Sequence, residues 1–197
     1  MRTSGCLSAL LMLVSAFVML PAQAGQVLAE STFDSDDEGW SAVFFNTVVP
    51  LPVAYADGAI YVVDADDGDT FYWNAPLEFL GNKSTAYGGK LRWTARDIGG
   101  GTYDQDNSQV VMLGGMVGSS FQVINCPCPL LPGAASYQEL SVTLSASGSG
   151  CFFSNGSKPT ASQFTSVLRT LSFLQIKAEY LNGADEASMD HVLLETP

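Results

Sequence analysis

The chain has 197 residues, twenty of them acidic against eight basic, for a formal net charge of −12 at pH 7. Such a surface repels phosphate backbones and anionic headgroups, which excludes nucleic acid and acidic membranes as natural partners and leaves cations as the natural counterpart. Hydrophobic residues make up 47% against 14% charged, with no internal repeat or low-complexity tract, so the composition predicts one globular domain with a sizeable core.

The chain opens with Arg2, an apolar run from Leu7 to Leu20, and then Pro21, Ala22, Gln23 and Ala24. The run is shorter than the ~20 residues of a spanning helix and ends at an A-x-A site, the pattern of a secretory signal peptide cleaved after Ala24. Residues 1–24 are therefore expected to be a leader and 25–197 the mature domain. Cys6 precedes the apolar run, so it does not read as a lipoprotein cysteine and leaves with the peptide. Loss of Arg2 makes the balance one unit more negative. With no second apolar run, the mature chain is expected to be secreted without membrane insertion: extracellular, or periplasmic in a Gram-negative host.

Turn signals then recur at Asp57-Gly58, Asp67-Gly68, Gly88-Gly89, Gly99-Gly100-Gly101, Gly114-Gly115 and Asn182-Gly183. Between them lie short segments rich in β-branched and aromatic residues, which predict strands over 27–33, 59–63, 91–95, 109–113, 121–124, 140–144, 173–181 and 189–194. Across 173–181, Leu174, Ile176, Ala178 and Tyr180 alternate with Gln175, Lys177 and Glu179, which predicts one buried and one wet face. One helix is expected over 161–171. Thr160 and Gln163 form a capping box, and Phe164, Val167, Leu168 and Leu171 make one apolar stripe. The fold class is all-β, a sandwich with this single short helix.

Three cysteines remain in the mature chain: Cys126 and Cys128 around Pro127, and Cys151. In an oxidising compartment one of the first two is expected to bond Cys151, Cys128 being the assigned partner and Cys126 the alternative. Zinc is a weaker reading, because zinc cysteines are usually spaced by two to four residues and a single His cannot complete the ligand set.

The segment from Phe71 carries an aromatic pair at Tyr72-Trp73, then Ala75-Pro76, Phe79-Leu80-Gly81 and Tyr87-Gly88-Gly89-Lys90-Leu91. In order and spacing this resembles the laminin IV type A (laminin B) domain. The likeness continues through Leu174 to Tyr180 and Ala187 to Val192, and covers nearly the whole mature chain. It implies a jelly-roll sandwich related to galactose-binding-like and carbohydrate-binding modules, and a non-enzymatic binding or adhesion role toward extracellular glycan or a matrix or cell-surface protein. Two features of this sequence depart from the family: Cys151 is extra, and its 197 residues contain no epidermal-growth-factor-like repeat.

The opening Phe33-Asp34-Ser35-Asp36-Asp37-Glu38-Gly39-Trp40 is also similar to the start of such modules, where a structural calcium often joins carboxylates of the first and last strands. The resemblance thus implies a Ca2+ site at Asp34 and Asp190, with Glu30 as a third ligand, since hard cations want six to eight oxygens. Turn and cap hydrogen bonding is the competing use of the same carboxylates. The acidic stretch Asp64, Asp66, Asp67 and Asp69 lacks EF-hand spacing and reads as a solvated hairpin turn. Trp40, Trp73 and Trp93 read as core; for a glycan ligand, which the fold analogy alone suggests, Tyr72 and Tyr103 are taken as the aromatic contacts. His191, the only histidine, lies beside Asp190 in a strand and is expected to pack or hydrogen-bond. The chain contains no G-x-S-x-G, HExxH or phosphate-loop motif. Two alternatives to a binding module stay open: a secreted glycan-active enzyme and a purely structural envelope or matrix component.

Overall fold

The computed structural model describes residues 25–44, 53–64, 70–99, 101–103, 106, 108–128 and 136–197, without the side chains of Asp64 and Tyr103. The expected leader, Cys6 and the acidic turn at Asp66, Asp67 and Asp69 lie outside the described residues.

Strands in chain order are β1 (Val27–Ser31), β2 (Ser41–Phe44), β3 (Ala54–Ala56), β4 (Ala59–Asp64), β5 (Phe71–Asn74), β6 (Lys90–Gly99) and β7 (Thr102–Tyr103). They continue as β8 (Val111–Val117), β9 (Ser120–Cys126), β10 (Gln138–Thr143), β11 (Phe152–Phe153), β12 (Phe173–Lys177), β13 (Leu181–Asn182) and β14 (Asp185–Glu195), with helix α1 (Ala161–Arg169) between β11 and β12. Among the described residues they form two six-stranded antiparallel sheets and a small β13–β7 ribbon. The first sheet runs β10-β6-β14-β4-β3, with β1 also on β14, and the second runs β11-β9-β8-β12-β5-β2. The all-β sandwich with one helix is the architecture the sequence predicts.

Strand β14 organises the first sheet. One edge pairs with β6 over its whole length, while the other meets β4 from Asp185 to Met189 and then β1 from Val192 to Glu195. First and last strands thus pair. At the changeover the β14–β6 register slips between Asp190 and Val192, and His191 takes the left-handed φ of 37°. This bulge adds one residue, so Asp190 and His191 both leave the core side while Met189 and Val192 stay fully buried. Without it Val192 and Leu194 would turn outward, because side chains alternate with period two.

The core between the sheets holds Phe33, Trp73, Trp93, Leu91, Leu113, Ile124, Leu174, Ile176 and Met189. Trp40, Trp73 and Trp93 are 2%, 1% and 1% exposed, as their motifs predict. Helix α1 buries Phe164, Val167 and Leu168 against β8, and its capping box is complete: Gln163 N donates to Thr160 Oγ1 at 3.2 Å and Thr160 N to Gln163 Oε1 at 2.8 Å. The helix ends at Arg169, two residues early. Leu171 instead exchanges backbone hydrogen bonds with Gly81, and the Thr170 hydroxyl accepts from Met116 N at 2.7 Å.

Three expectations are corrected. Gly114-Gly115 is the middle of β8, not a turn. A Cβ on Gly114 would lie 2.1 Å from the Phe173 ring, and one on Gly115 2.5 Å from the Val167 carbonyl oxygen, so these glycines serve close packing. The strand at 173–181 breaks after Lys177, and its supposed wet face is buried at Lys177 and Glu179. The Lys177 ammonium lies inside because it donates to the Asp106 carbonyl at 3.0 Å. Finally, Cys126 bonds Cys151, with Cα atoms 4.2 Å apart, and Cys128 is the free, buried thiol. The register decides this: β11 pairs with β9 as Phe152 against Asn125, so one step along each strand sets Cys151 opposite Cys126.

Candidate functional site: the outer face of the first sheet

Strand β6 alternates strictly. Leu91, Trp93, Ala95 and Asp97 are buried, which sends Arg92, Thr94 and Arg96 to the outer face. Register then surrounds them: Ser188 stands opposite Arg96, Asp190 opposite Thr94, and Leu193 opposite Arg92 on β14. On the other edge Glu139 of β10 faces Thr94, and Tyr137 precedes that strand. On β4, Tyr61 lies opposite Ser188.

These side chains line an open groove of ≈ 340 Å³ whose walls are Tyr61, Arg96, Tyr137, Glu186, Ser188 and the β3–β4 turn. The turn is tight because Asp57 and Gly58 both take left-handed φ, 53° and 79°, as a two-residue hairpin needs. The Arg96 guanidinium lies over the Tyr137 ring, 4.8 Å from its centroid, and reaches Glu186 at 3.6 Å. Its buried Nε has no hydrogen-bond partner among the described residues. The Tyr137 hydroxyl is 2.6 Å from Ser188 Oγ, which fixes the ring while 38% of the residue stays exposed. Next along β6, a smaller depression of ≈ 60 Å³ is lined by Arg92, Thr94, Glu139, His191 and Leu193. Here Arg92 Nε donates to Glu139 at 2.9 Å, which holds the guanidinium above its usual pKa. His191 Nε2 lies 2.9 Å from Glu30 across β14 and β1. The face therefore carries paired charges of both signs in a strongly acidic chain.

The carboxylates named for calcium are placed as follows. Glu30 holds His191. Asp34 accepts from the Thr32 hydroxyl at 2.8 Å, in a turn where Glu38 accepts from the Thr32 and Phe33 amides, Asp36 from Glu38 N, and Asp37 from Gly39 N. Asp190 is half-buried beside the His191 bulge. No three His, Cys, Asp or Glu side chains among the described residues gather as a metal-holding group.

Tyr72 is corrected as an exposed ligand contact. It is 4% exposed on the outer side of the second sheet, packed with Val43 and Met112. Tyr103 pairs with Leu181 in the ribbon, and its side chain lies outside the described residues. Arg96, Tyr61 and Tyr137 were missed as site residues. The alternation around Trp93 was readable and could have put Arg92 and Arg96 on one outward row. Tyr137, ahead of its strand, gave no periodic signal.

A second polar cluster is buried. Asp97 and Asp185, 2% and 5% exposed, are buried near the ribbon, and Tyr180 N donates to Asp97 Oδ2 at 2.8 Å. Burial pushes the Asp97 carboxyl up from its usual range, against the hydrogen bonds it accepts.

The Laminin B (Domain IV) model matches residues 72–197. Human laminin subunit alpha-1 is 28% identical over 130 residues, 64% of this chain and 4% of that protein. The basement membrane proteoglycan of Caenorhabditis elegans is 45% identical over 47 residues, 24% of this chain and 1% of that protein. Among solved structures, the L4b domain of human laminin alpha-2 superposes with a TM-score of 0.73 at 15% identity, covering 89% of this chain and 100% of that domain. Sequence and fold agree on the outcome: the chain belongs to the laminin B (domain IV) family.

Proposed function

We propose that the chain is a non-catalytic module of extracellular-matrix type that holds a saccharide unit of an extracellular glycan in the groove between Tyr61, Arg96 and Tyr137. The observation that carries the reading is the groove's lining. A sugar ring offers an apolar C–H face and a rim of hydroxyls, and this site offers tyrosine rings beside an arginine, a glutamate and a serine hydroxyl. Such groups fix orientation with a few polar contacts around an apolar contact surface. The relatives' names, laminin subunit and basement membrane proteoglycan, support a matrix setting. Residues 1–24, read as a leader, support export of a mature chain that begins at Gly25.

Two outer carboxylates, Glu139 and Glu186, are each held by an arginine. That arrangement serves recognition, where charged partners present a fixed hydrogen-bonding edge. A glycan array read together with product analysis tests the proposal: wild-type protein is retained on saccharides and leaves them intact, and Tyr137→Ala is not retained. Retention that is indifferent to Tyr137→Ala and Arg96→Gln, or release of shortened sugars, contradicts it.

A further inference from the structure

The groove does not stand alone on its face. Arg92, Thr94 and Arg96 form one outward row on β6, and each arginine is matched by a glutamate from a different neighbouring strand: Glu186 of β14 for Arg96 and Glu139 of β10 for Arg92. The two depressions are consecutive along this row, since the first is lined by Arg96 and the second by Arg92 and Thr94. Four residues of antiparallel strand separate the arginines by about 14 Å, a span longer than a single sugar ring. Between them stands Thr94, whose register partners Glu139 and Asp190 are both acceptors. The outward residue between the two arginines is thus small, and its hydroxyl marks the midpoint of the row.

Resting on the reading above, we infer that the ligand is a neutral oligosaccharide chain lying along β6, one sugar in the Tyr137–Arg96 groove and a later one at Arg92 and Glu139. Charge selects the neutral class. Each arginine on the row already has its carboxylate, so a sulfated or uronate chain finds no unmatched cation here and meets the field of a chain carrying −12 overall. A hydroxyl-rich neutral chain, by contrast, can both donate to Glu139 and Glu186 and accept from Arg92 and Arg96 without displacing net charge. The second depression, at ≈ 60 Å³, takes hydroxyls and not a whole ring, which makes it an auxiliary contact for a chain anchored elsewhere.

Calorimetric titration with monosaccharide-to-hexasaccharide series of glucose, galactose, mannose and N-acetylglucosamine oligomers tests this. In the series that binds, affinity is expected to rise about tenfold between the monosaccharide and the longer members, the worth of one or two added polar contacts. The double variant Arg92→Gln, Glu139→Gln is expected to flatten that rise. Both side chains are solvent-exposed, at 40% and 61%, so the fold tolerates their loss, which a thermal melt verifies. Phe121→Ala, on the other sheet, is expected to leave the whole series unchanged. Equal affinity at every length, or a rise that survives the double variant, overturns the inference while leaving the groove reading intact. No binding by any neutral series overturns both. Salt-sensitive binding of anionic glycans, or retention of a protein partner alone, likewise counts against the neutral chain.

Discussion

The Arg96 guanidinium lies 4.8 Å from the ring centroid of Tyr137, whose hydroxyl in turn meets Ser188 at 2.6 Å. These contacts join β6, the start of β10 and β14 into one rigid wall of the groove. Tyr137→Ala is expected to weaken saccharide binding about tenfold or more, while costing about 1 kcal/mol of stability for the lost cation–π contact and hydrogen bond. Tyr137→Phe keeps the ring and loses the hydroxyl, so its affinity should fall between the two. Calorimetry and thermal melts on the three proteins read this out. Equal affinity for Tyr137→Ala and wild type contradicts it.

Asp97 predicts an unusual pH dependence. Its folded-state pKa is raised above the ordinary 3.8 by burial, so the folded chain binds this proton more tightly than the unfolded chain does. The contribution to stability is therefore fully present below about pH 3.8 and is lost as the pH climbs through the raised folded value. Asp97→Asn keeps an acceptor for Tyr180 N and removes the buried charge. It is expected to raise the melting temperature by a few degrees at pH 7, about 1 kcal/mol, with the gain shrinking toward pH 4. An equal or lower Tm at pH 7 would show that the charged form is stabilised in the fold.

The cysteine pattern predicts a chemical signature. Burial pushes the Cys128 thiol up to about 11, and its S–H donates to the Ser141 carbonyl at 3.5 Å. About one thiol in a thousand is then ionised at pH 8, so iodoacetamide should leave the native protein unlabelled. Unfolding without reductant should expose a single alkylation site in the exported chain, Cys128, since Cys126 and Cys151 are bonded and Cys6 is expected to leave with residues 1–24. Cys151→Ser is expected to cost about 3 kcal/mol for a bridge spanning 25 residues. Three adducts by mass spectrometry would overturn the bridge, and two would overturn the cleavage.

Packing at β8 predicts a contrast between two glycines. A Cβ on Gly115 would sit 2.5 Å from the Val167 carbonyl oxygen and 3.0 Å from its Cα, so Gly115→Ala must push helix α1 off the sheet at about 2 kcal/mol. Gly118 has φ of 62° and open space around it, so Gly118→Ala meets only the backbone penalty of about 1 kcal/mol. Denaturant titration separates them. Equal costs would contradict the close approach of α1.

Much of this was legible from local pattern. Thr160 and Gln163 announced the helix start because a capping box is a purely local device, and the alternation around Trp93 and Leu174 announced strands with buried faces. What escaped depended on partners distant in sequence. Gly114-Gly115 read as a turn because the Phe173 ring and the Val167 backbone that exclude a side chain lie more than fifty residues away. Cys126 and Cys128 could not be told apart until the β9–β11 register was known. Tyr72 was offered to a ligand although its strand turns it toward Val43 and Met112. The groove was the least legible feature, because it exists only where β4, β6, β14 and the approach to β10 meet.

The most direct test of the saccharide face is a 1H–15N chemical-shift map of the labelled protein titrated with a neutral oligosaccharide that it binds. The account predicts shifts concentrated at Tyr61, Arg92, Thr94, Arg96, Tyr137, Glu139 and Ser188, with the second sheet around Phe121 and Phe173 silent. Shifts centred on the second sheet, with the β6 row unmoved, would contradict it.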